Sequence, residues 1–127
     1  MKIKFLLILA ITAFTLHAAL AAPQEIPKGS KLRGQLFDLA RPTIEKQASQ
    51  AVKFAGSLKQ FDGWAFFSGR VVDTKGATIE FDRISDTFVI WKEIQGSWHL
   101  LEASAGVSDM SFHEKWLQEG APGQLLE

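Results

Sequence analysis

There is no cysteine in this 127-residue chain. That excludes disulfides, thiolate metal sites and a lipid anchor on a modified N-terminal cysteine. Tyrosine is missing as well, whereas phenylalanine occurs ten times and tryptophan four times, so the composition points to an aromatic-rich core. Nor does one sign of charge dominate, since 14 basic residues face 14 acidic ones. Without Lys2 and Lys4 the balance is 12 against 14, a net charge of −2, with no run of like charges. Neither a nucleic-acid footprint nor a polybasic membrane surface is supported.

The longest apolar run stands at the start. Lys2 and Lys4 form a short positive segment, Phe5 to Leu16 carry no charge, and Ala19-Leu20-Ala21 has the small-x-small pattern read by signal peptidase. The run is shorter than the ~20 residues needed to cross a bilayer, and no basic stop-transfer cluster follows. The expectation is a signal peptide over 1–21, cleaved near Ala21, with the mature chain in the periplasm or secreted and no membrane association after cleavage. About 106 residues then remain, enough for one domain and not two. Without disulfides that domain is held together by its core.

Residues 22–29 contain two prolines and a glycine without periodicity and read as a flexible leader to a single domain over 30–127. Ser30 is a candidate N-cap. Leu32, Leu36, Leu39, Ala40 and Ile44 recur at helical spacing, and Pro42 interrupts them, predicting a kinked helix over 31–48 or a second short helix opening at Pro42. The period then changes. Asp62-Gly63 and Gln95-Gly96 each separate two strand-like runs and predict tight hairpins. Asp73-Thr74-Lys75-Gly76 reads as a turn, and Thr78 to Arg83 as a short extra strand. Ser111-Phe112-His113-Glu114 matches a capping box for a short last helix, which Gly120 and Pro122 stop. The fold class is therefore α+β: a kinked N-terminal helix on a curled four- to five-stranded antiparallel meander, with a short C-terminal helix. Strand 87–91, apolar on both sides, calls for cover on the second face of the sheet, which a sheet curled around the helix would supply.

Several segments stand out together: Leu36 to Pro42, Gly63 to Arg70, Gly96-Ser97-Trp98, Leu101-Glu102, Gly106-Val107-Ser108-Asp109 and Ala121-Pro122. The combination resembles a group of small exported bacterial proteins whose members share an L-x-x-x-R-P helix, a G-x-W-A-F strand, a G-x-W-x-x-x-E hairpin and a G-x-[ST]-D segment. The likeness covers most of 29–126, with a shorter connection over 73–86 than the group's pattern has. It implies a signal peptide and a compact α+β domain, and no activity. The helix-then-meander order is also similar to cystatin and nuclear-transport-factor-like architectures, an analogy of fold alone.

Candidate chemistry is sparse. His17 lies in the signal peptide. His99 and Glu102, three apart on a strand, are expected on opposite faces. Asp109 and His113, four apart at a helix start, can share a face, although two ligands do not make a metal site and capping is the plainer role. Ser68, Ser104 and Ser108 lack the context of a nucleophile elbow and read as turn or cap serines. Glu80, Asp82 and Asp86 could approach one another as glycosidase carboxylates do, but no aromatic-lined cleft is expected in a domain this small. Arg70 and Glu102 sit among apolar neighbours on strands, so each is expected to be exposed or paired. The four tryptophans read as core rather than as a ligand groove.

The candidate ligand-binding residues are thus Arg70, Glu102, Asp109 and His113, with no catalytic or metal set and no cofactor signature. The expected function is a non-catalytic binding or interaction module for a protein or a small apolar ligand; an apolar cavity between helix 31–48 and the concave sheet face would favour the ligand, and a solid core there would leave protein binding. The alternatives are a small pocket enzyme with a nuclear-transport-factor-like fold, requiring at least two of those four residues within hydrogen-bond reach inside one cleft, and an inhibitor of an exported hydrolase, requiring exposed hairpin tips such as 62–63 and 95–96 together at one edge.

Overall fold

The computed structural model describes residues 22–127; the expected signal peptide lies outside them. The first helix, α1, spans Lys31–Ala48. Ser30 caps it, its hydroxyl accepting from the Arg33 amide at 3.3 Å, and Ser49 ends it in the left-handed region at φ 56°. Leu36, Phe37, Ala40 and Ile44 form the buried stripe. Fully burying a side chain of the size of Leu36 or Ile44 stabilises by about 1.5–3 kcal/mol. Pro42 lies inside this one helix and opens no second one. It removes the hydrogen bond to the carbonyl of Asp38. Both residues are exposed, so water can take the place of the missing donor.

Five strands follow one another across an antiparallel sheet in chain order: β1 Gln24–Glu25, β2 Lys53–Phe61, β3 Trp64–Val72, β4 Thr87–Ile94 and β5 Ser97–Ala105. The segment 22–29, expected as a flexible leader ahead of the domain, instead supplies β1 and the buried Ile26, whose amide donates to Leu58 O at 2.8 Å. The order is legible in the turns. Asp62 and Gly63 have φ of 50° and 79°, and Gln95 and Gly96 have 53° and 82°. Two successive positive φ values make the primed turn whose twist matches the strands it joins. The 73–76 turn is also present, with Asp73 Oδ1 accepting from the amides of Lys75 and Ala77, both at 2.9 Å. The extra strand expected over Thr78 to Arg83 is absent from the described structure. Two isolated bridges, Val72 with Thr78 and Phe81 with Ile84, stand there instead. Asp82 and Arg83 make a further tight turn at φ 53° and 73°, leaving too few residues to extend a ladder.

The sheet has two covered faces. Alternation along β3 sends Ala65, Phe67 and Val71 toward α1, together with Leu58, Val89, Trp91 and Ala103 of the other strands. Trp91 is fully buried there, and its indole N–H donates to the carbonyl of Leu36 at 3.0 Å. Trp64, Phe66, Phe88 and Ile90 point the other way. They meet Phe112 and Trp116 of the second helix, α2 (Asp109–Gln118), and Ala121, Leu125 and Leu126 of the C-terminal segment. The two-sided apolar character of 87–91 is thus met by α2 and that segment rather than by the sheet alone.

Helix α2 starts earlier than the capping box suggests. Ser108, not Ser111, is the N-cap, accepting from the Ser111 amide at 3.3 Å, so Ser111 and Glu114 lie within the helix. The end is as expected. Gly120, at φ 99°, donates to Leu117 O and Ala121 to Trp116 O, which is the paired closure that glycine in the left-handed region allows. The glycine of the G-x-S-D segment has an equally specific task. Gly106 sits at φ 72° with Phe81 packed against it, and any Cβ would collide with that side chain.

The edges of the sheet are dressed by α1. Arg33, near its start, donates to the carbonyls of Ile26 (3.3 Å) and Gly56 (3.4 Å) on the β2 side. Gln47, near its end, donates to Ala103 O and accepts from the Ala105 amide, both at 2.9 Å, along the outer edge of β5. A side-chain amide in this position imitates a neighbouring strand and occupies groups that would otherwise template association.

Candidate functional site

A cleft of about 480 Å³ opens on the face covered by α2. Its floor is β3 and β4, through Phe66, Ser68 and Phe88; its walls are Asp86, the first turn of α2 with Asp109 and His113, and the C-terminal Leu126 and Glu127. Phe66 and Phe88 lie parallel at 6.1 Å, and the His113 imidazole stands edge-on to both, at 5.4 and 5.5 Å. Phe112 closes the cluster from α2, 5.4 Å from Phe88.

The histidine is held in one orientation. Its Nδ1 lies 2.6 Å from the main-chain oxygen of Asp109 one turn earlier. A carbonyl can only accept, so Nδ1 carries the proton and Nε2 is left with a lone pair in the neutral ring. The Asp109 carboxylate is engaged elsewhere, accepting from the Met110 amide at 2.7 Å. These two sequence candidates therefore share one cleft but form no carboxylate–imidazole pair. The imidazole is oriented by a main-chain carbonyl rather than by a carboxylate.

Glu102 lies on the same face of the sheet and is bound into its own network. One carboxylate oxygen accepts from Lys115 Nζ at 2.9 Å and from Trp116 Nε1 at 2.8 Å, and the other from Ser104 Oγ at 2.6 Å. Burial pushes the carboxyl up, but these hydrogen bonds and the Lys115 charge outweigh it and hold Glu102 below the ordinary glutamate range. The network fastens α2 to β5. Glu102 is therefore paired, one of the two fates expected for it.

One expectation about this strand fails. The register shifts between Ile90 and Trp91, which pair with Glu102 and Leu100, so Leu101 is an extra, bulged residue. Lys92 pairs with His99 and Ile90 with Glu102; Lys92 and Ile90 share a face, and so do His99 and Glu102. Counting residues along β5 misses the bulge because the partner strand defines it.

Arg70 is exposed, and among the described residues it enters neither of the two ion pairs, so it does not meet Glu102. Glu80 and Asp82 are exposed on the connection, apart from the cleft that Asp86 lines. No three His, Asp or Glu side chains among the described residues gather into a metal-binding set. Reading along the chain missed Phe66, Ser68, Asp86 and Phe88 as cleft residues. The available signal was the even alternation of Phe66 and Ser68 on β3, repeated by Asp86 and Phe88 on and just before β4. Trp64, Trp91 and Trp116 are buried and Trp98 packs at the margin of the core, in line with their reading as core.

The two primed hairpin tips lie at one end of the sheet. Trp64 pairs with Lys92, and the Glu93 amide donates to Gly63 O at 2.7 Å, which sets turn 62–63 beside turn 95–96. Ile94 is 45% exposed there.

Compared with protein-family models, with curated proteins and with solved structures, the chain matches none.

Proposed function

We propose that this chain is an exported, non-catalytic binding domain, and that the cleft between α2 and strands β3 and β4 receives its ligand. The lysine-flanked apolar start and the Ala19-Leu20-Ala21 site support export, to the periplasm or the medium, as does the likeness to small exported bacterial proteins. The observation that carries the binding role is the contrast between an exposed, part-polar cleft and an otherwise closed core. Fully buried side chains fill the space between α1 and the sheet, so the ligand space lies on the other face. Clefts of a few hundred Å³ with an aromatic floor and a few polar groups are the usual form of small-molecule sites.

The test is a fragment screen on the protein purified after export, followed by amide NMR. The expected result is a set of hits that shift Ser68, Asp86, Phe88 and His113 together and saturate. Shifts scattered over the surface, or none, would refute the cleft as a binding site. Mass spectrometry of the same preparation checks the export proposal, which requires an N-terminus at Ala22; retention of Met1 to Ala21 would overturn it.

The adjoining hairpin tips favour a second reading, docking on a protein such as an exported hydrolase. In that case Asp62→Lys with Ile94→Asp would abolish capture of the partner and leave the cleft shifts unchanged.

A further inference from the structure

We infer that the first residues after the leader form a strap that closes on the sheet only once the leader is removed, so that docking of β1 and cleavage at Ala21 exclude each other. The inference rests on the proposed export and on where residues 22–26 lie in the fold.

Only Ala22 and Pro23 stand between the expected scissile bond and the first paired residue. Gln24 pairs with Gln60 and Glu25 with Lys59 along the β2 edge. The Glu25 carboxylate accepts from Ser57 Oγ at 3.0 and 3.1 Å. Ile26 is 2% exposed and belongs to the core beneath α1. Its amide donates to Leu58 O at 2.8 Å, and its carbonyl accepts from Arg33 Nη1 at 3.3 Å. The main chain just past the bond is therefore committed to the domain, to a strand through one group and to a helix side chain through the other.

A protease holds its substrate as an extended segment whose main-chain groups bond to the enzyme, as an added strand bonds to a sheet edge. Two residues span at most ~7 Å. Pro23, with its fixed φ and no N–H, gives that link little freedom to swing and supplies no donor. With β1 docked, the bond is held close to the sheet edge and the groups that follow it are already bonded. Cleavage requires the strap to be open.

The strap is weakly built. β1 has two residues, both exposed, and pairs with one strand alone, so Ile26 is what holds it. Burial of a side chain of that size favours the closed strap by roughly ten- to a hundredfold. A folded precursor then offers its bond for only the corresponding fraction of the time, whereas a chain not yet folded offers it throughout. The leader leaves first and the β2 edge closes second; a precursor that folds early keeps its leader.

The test treats the full-length precursor in detergent micelles with a bacterial signal peptidase and follows the appearance of the Ala22 N-terminus by mass spectrometry. Wild-type precursor folded beforehand is expected to be cut at least about tenfold more slowly than the same precursor diluted from urea directly into the enzyme. Ile26→Ser unseats the strap and is expected to bring the folded precursor to within about threefold of the urea-diluted rate. Leu125→Ala loosens the cluster on the opposite face of the sheet and is expected to leave the rate of the folded precursor unchanged. Arg33→Ala removes the donor to Ile26 O and keeps the core, and a cut about fivefold faster is expected; it decides the matter where Ile26→Ser does not fold. Equal rates for folded and urea-diluted wild type, no acceleration by either strap variant, or Leu125→Ala as fast as Ile26→Ser would overturn the strap and leave export standing. No cut after Ala21 in any state overturns both.

Discussion

The two faces of the sheet solve one problem with different means. Under α1 an 18-residue helix spans the sheet from the β2 edge, where Arg33 donates to Gly56 O, to the β5 edge, where Gln47 bonds Ala103 and Ala105. Leu58, Phe67, Val89 and Trp91 below it are closed off from water, with Phe54, Trp98 and Leu100 partly buried at the margin. Under α2 a 10-residue helix covers only part of its face, and the C-terminal segment adds Ala121, Leu125 and Leu126. The uncovered remainder is the cleft. Helix length therefore separates the closed face from the one that carries the cleft, since 18 residues reach ~27 Å and 10 reach ~15 Å at the rise of an α-helix.

The comparison can be broken most forcefully at Trp91. Trp91→Ala removes a fully buried indole and its bond to α1, and it is expected to cost about 3–5 kcal/mol, a large share of the stability of a small domain, read as a fall in denaturation midpoint. A cost under ~1 kcal/mol would mean that the α1 face is not the structural one. Gly69→Ala comes next. Its Cβ would collide with the carbonyl of Ala55 and meet the Phe67 ring at 2.9 Å, and backbone cannot yield as a side chain does, so about 1–3 kcal/mol is expected in chemical denaturation.

Glu102→Gln probes the other face. It removes the charge that holds Lys115 while a neutral oxygen can still accept from Trp116, so a loss of no more than about 1 kcal/mol at pH 7 is expected for this partly solvated network. The pH dependence has a definite sign. Glu102 is held below its ordinary value when folded, so its contribution is fully present above the unfolded value of 4.5 and is lost as the pH falls through the lower folded value. Stability measured against pH should show a shallower acid limb in the Gln variant; an unchanged limb would remove Glu102 as the fastening of α2. Hydrogen exchange sharpens the same point, with α2 amides expected to open at lower free energy than those of α1.

The smallest effect belongs to Arg70→Ala. This side chain is exposed and enters no ion pair among the described residues, so the midpoint is expected to move by less than about 0.5 kcal/mol.

Much of the architecture was legible because it depends on local rules. Ser30 before an apolar stripe, Asp62-Gly63 and Gln95-Gly96 between strand-like runs, and Gly120 after α2 each act within a few residues of themselves, and each holds its expected place. The misreadings share another origin. Thr78 to Arg83 has the composition of a strand but is drawn into a tight turn at Asp82-Arg83. Ser111-x-x-Glu114 satisfies a capping pattern, but Ser108 takes the cap because Gly106 turns the chain into the helix three residues earlier. His99 and Glu102 share a face because the bulge at Leu101 exists only relative to β4.

The candidate site divides along the same line. Asp109 and His113, one helical turn apart, could be placed together from their spacing, and they are the two candidates that line the cleft. Arg70 and Glu102 could not be assigned a neighbour in advance, and the structure leaves one in solvent and ties the other to Lys115 and Trp116. Ser68, Asp86 and the two phenylalanines enter only because β3 and β4 lie side by side beneath α2.

The sequence by itself determined the lack of covalent cross-links, the α+β class and the order of elements, since composition, hydrophobic period and turn chemistry are properties of short stretches. Tertiary structure alone decided which face is sealed, where the cleft opens and which polar groups remain unbonded in it. Those outcomes depend on how far each helix reaches across the sheet and on the register between strands distant in the chain, and neither quantity is stored in any one segment.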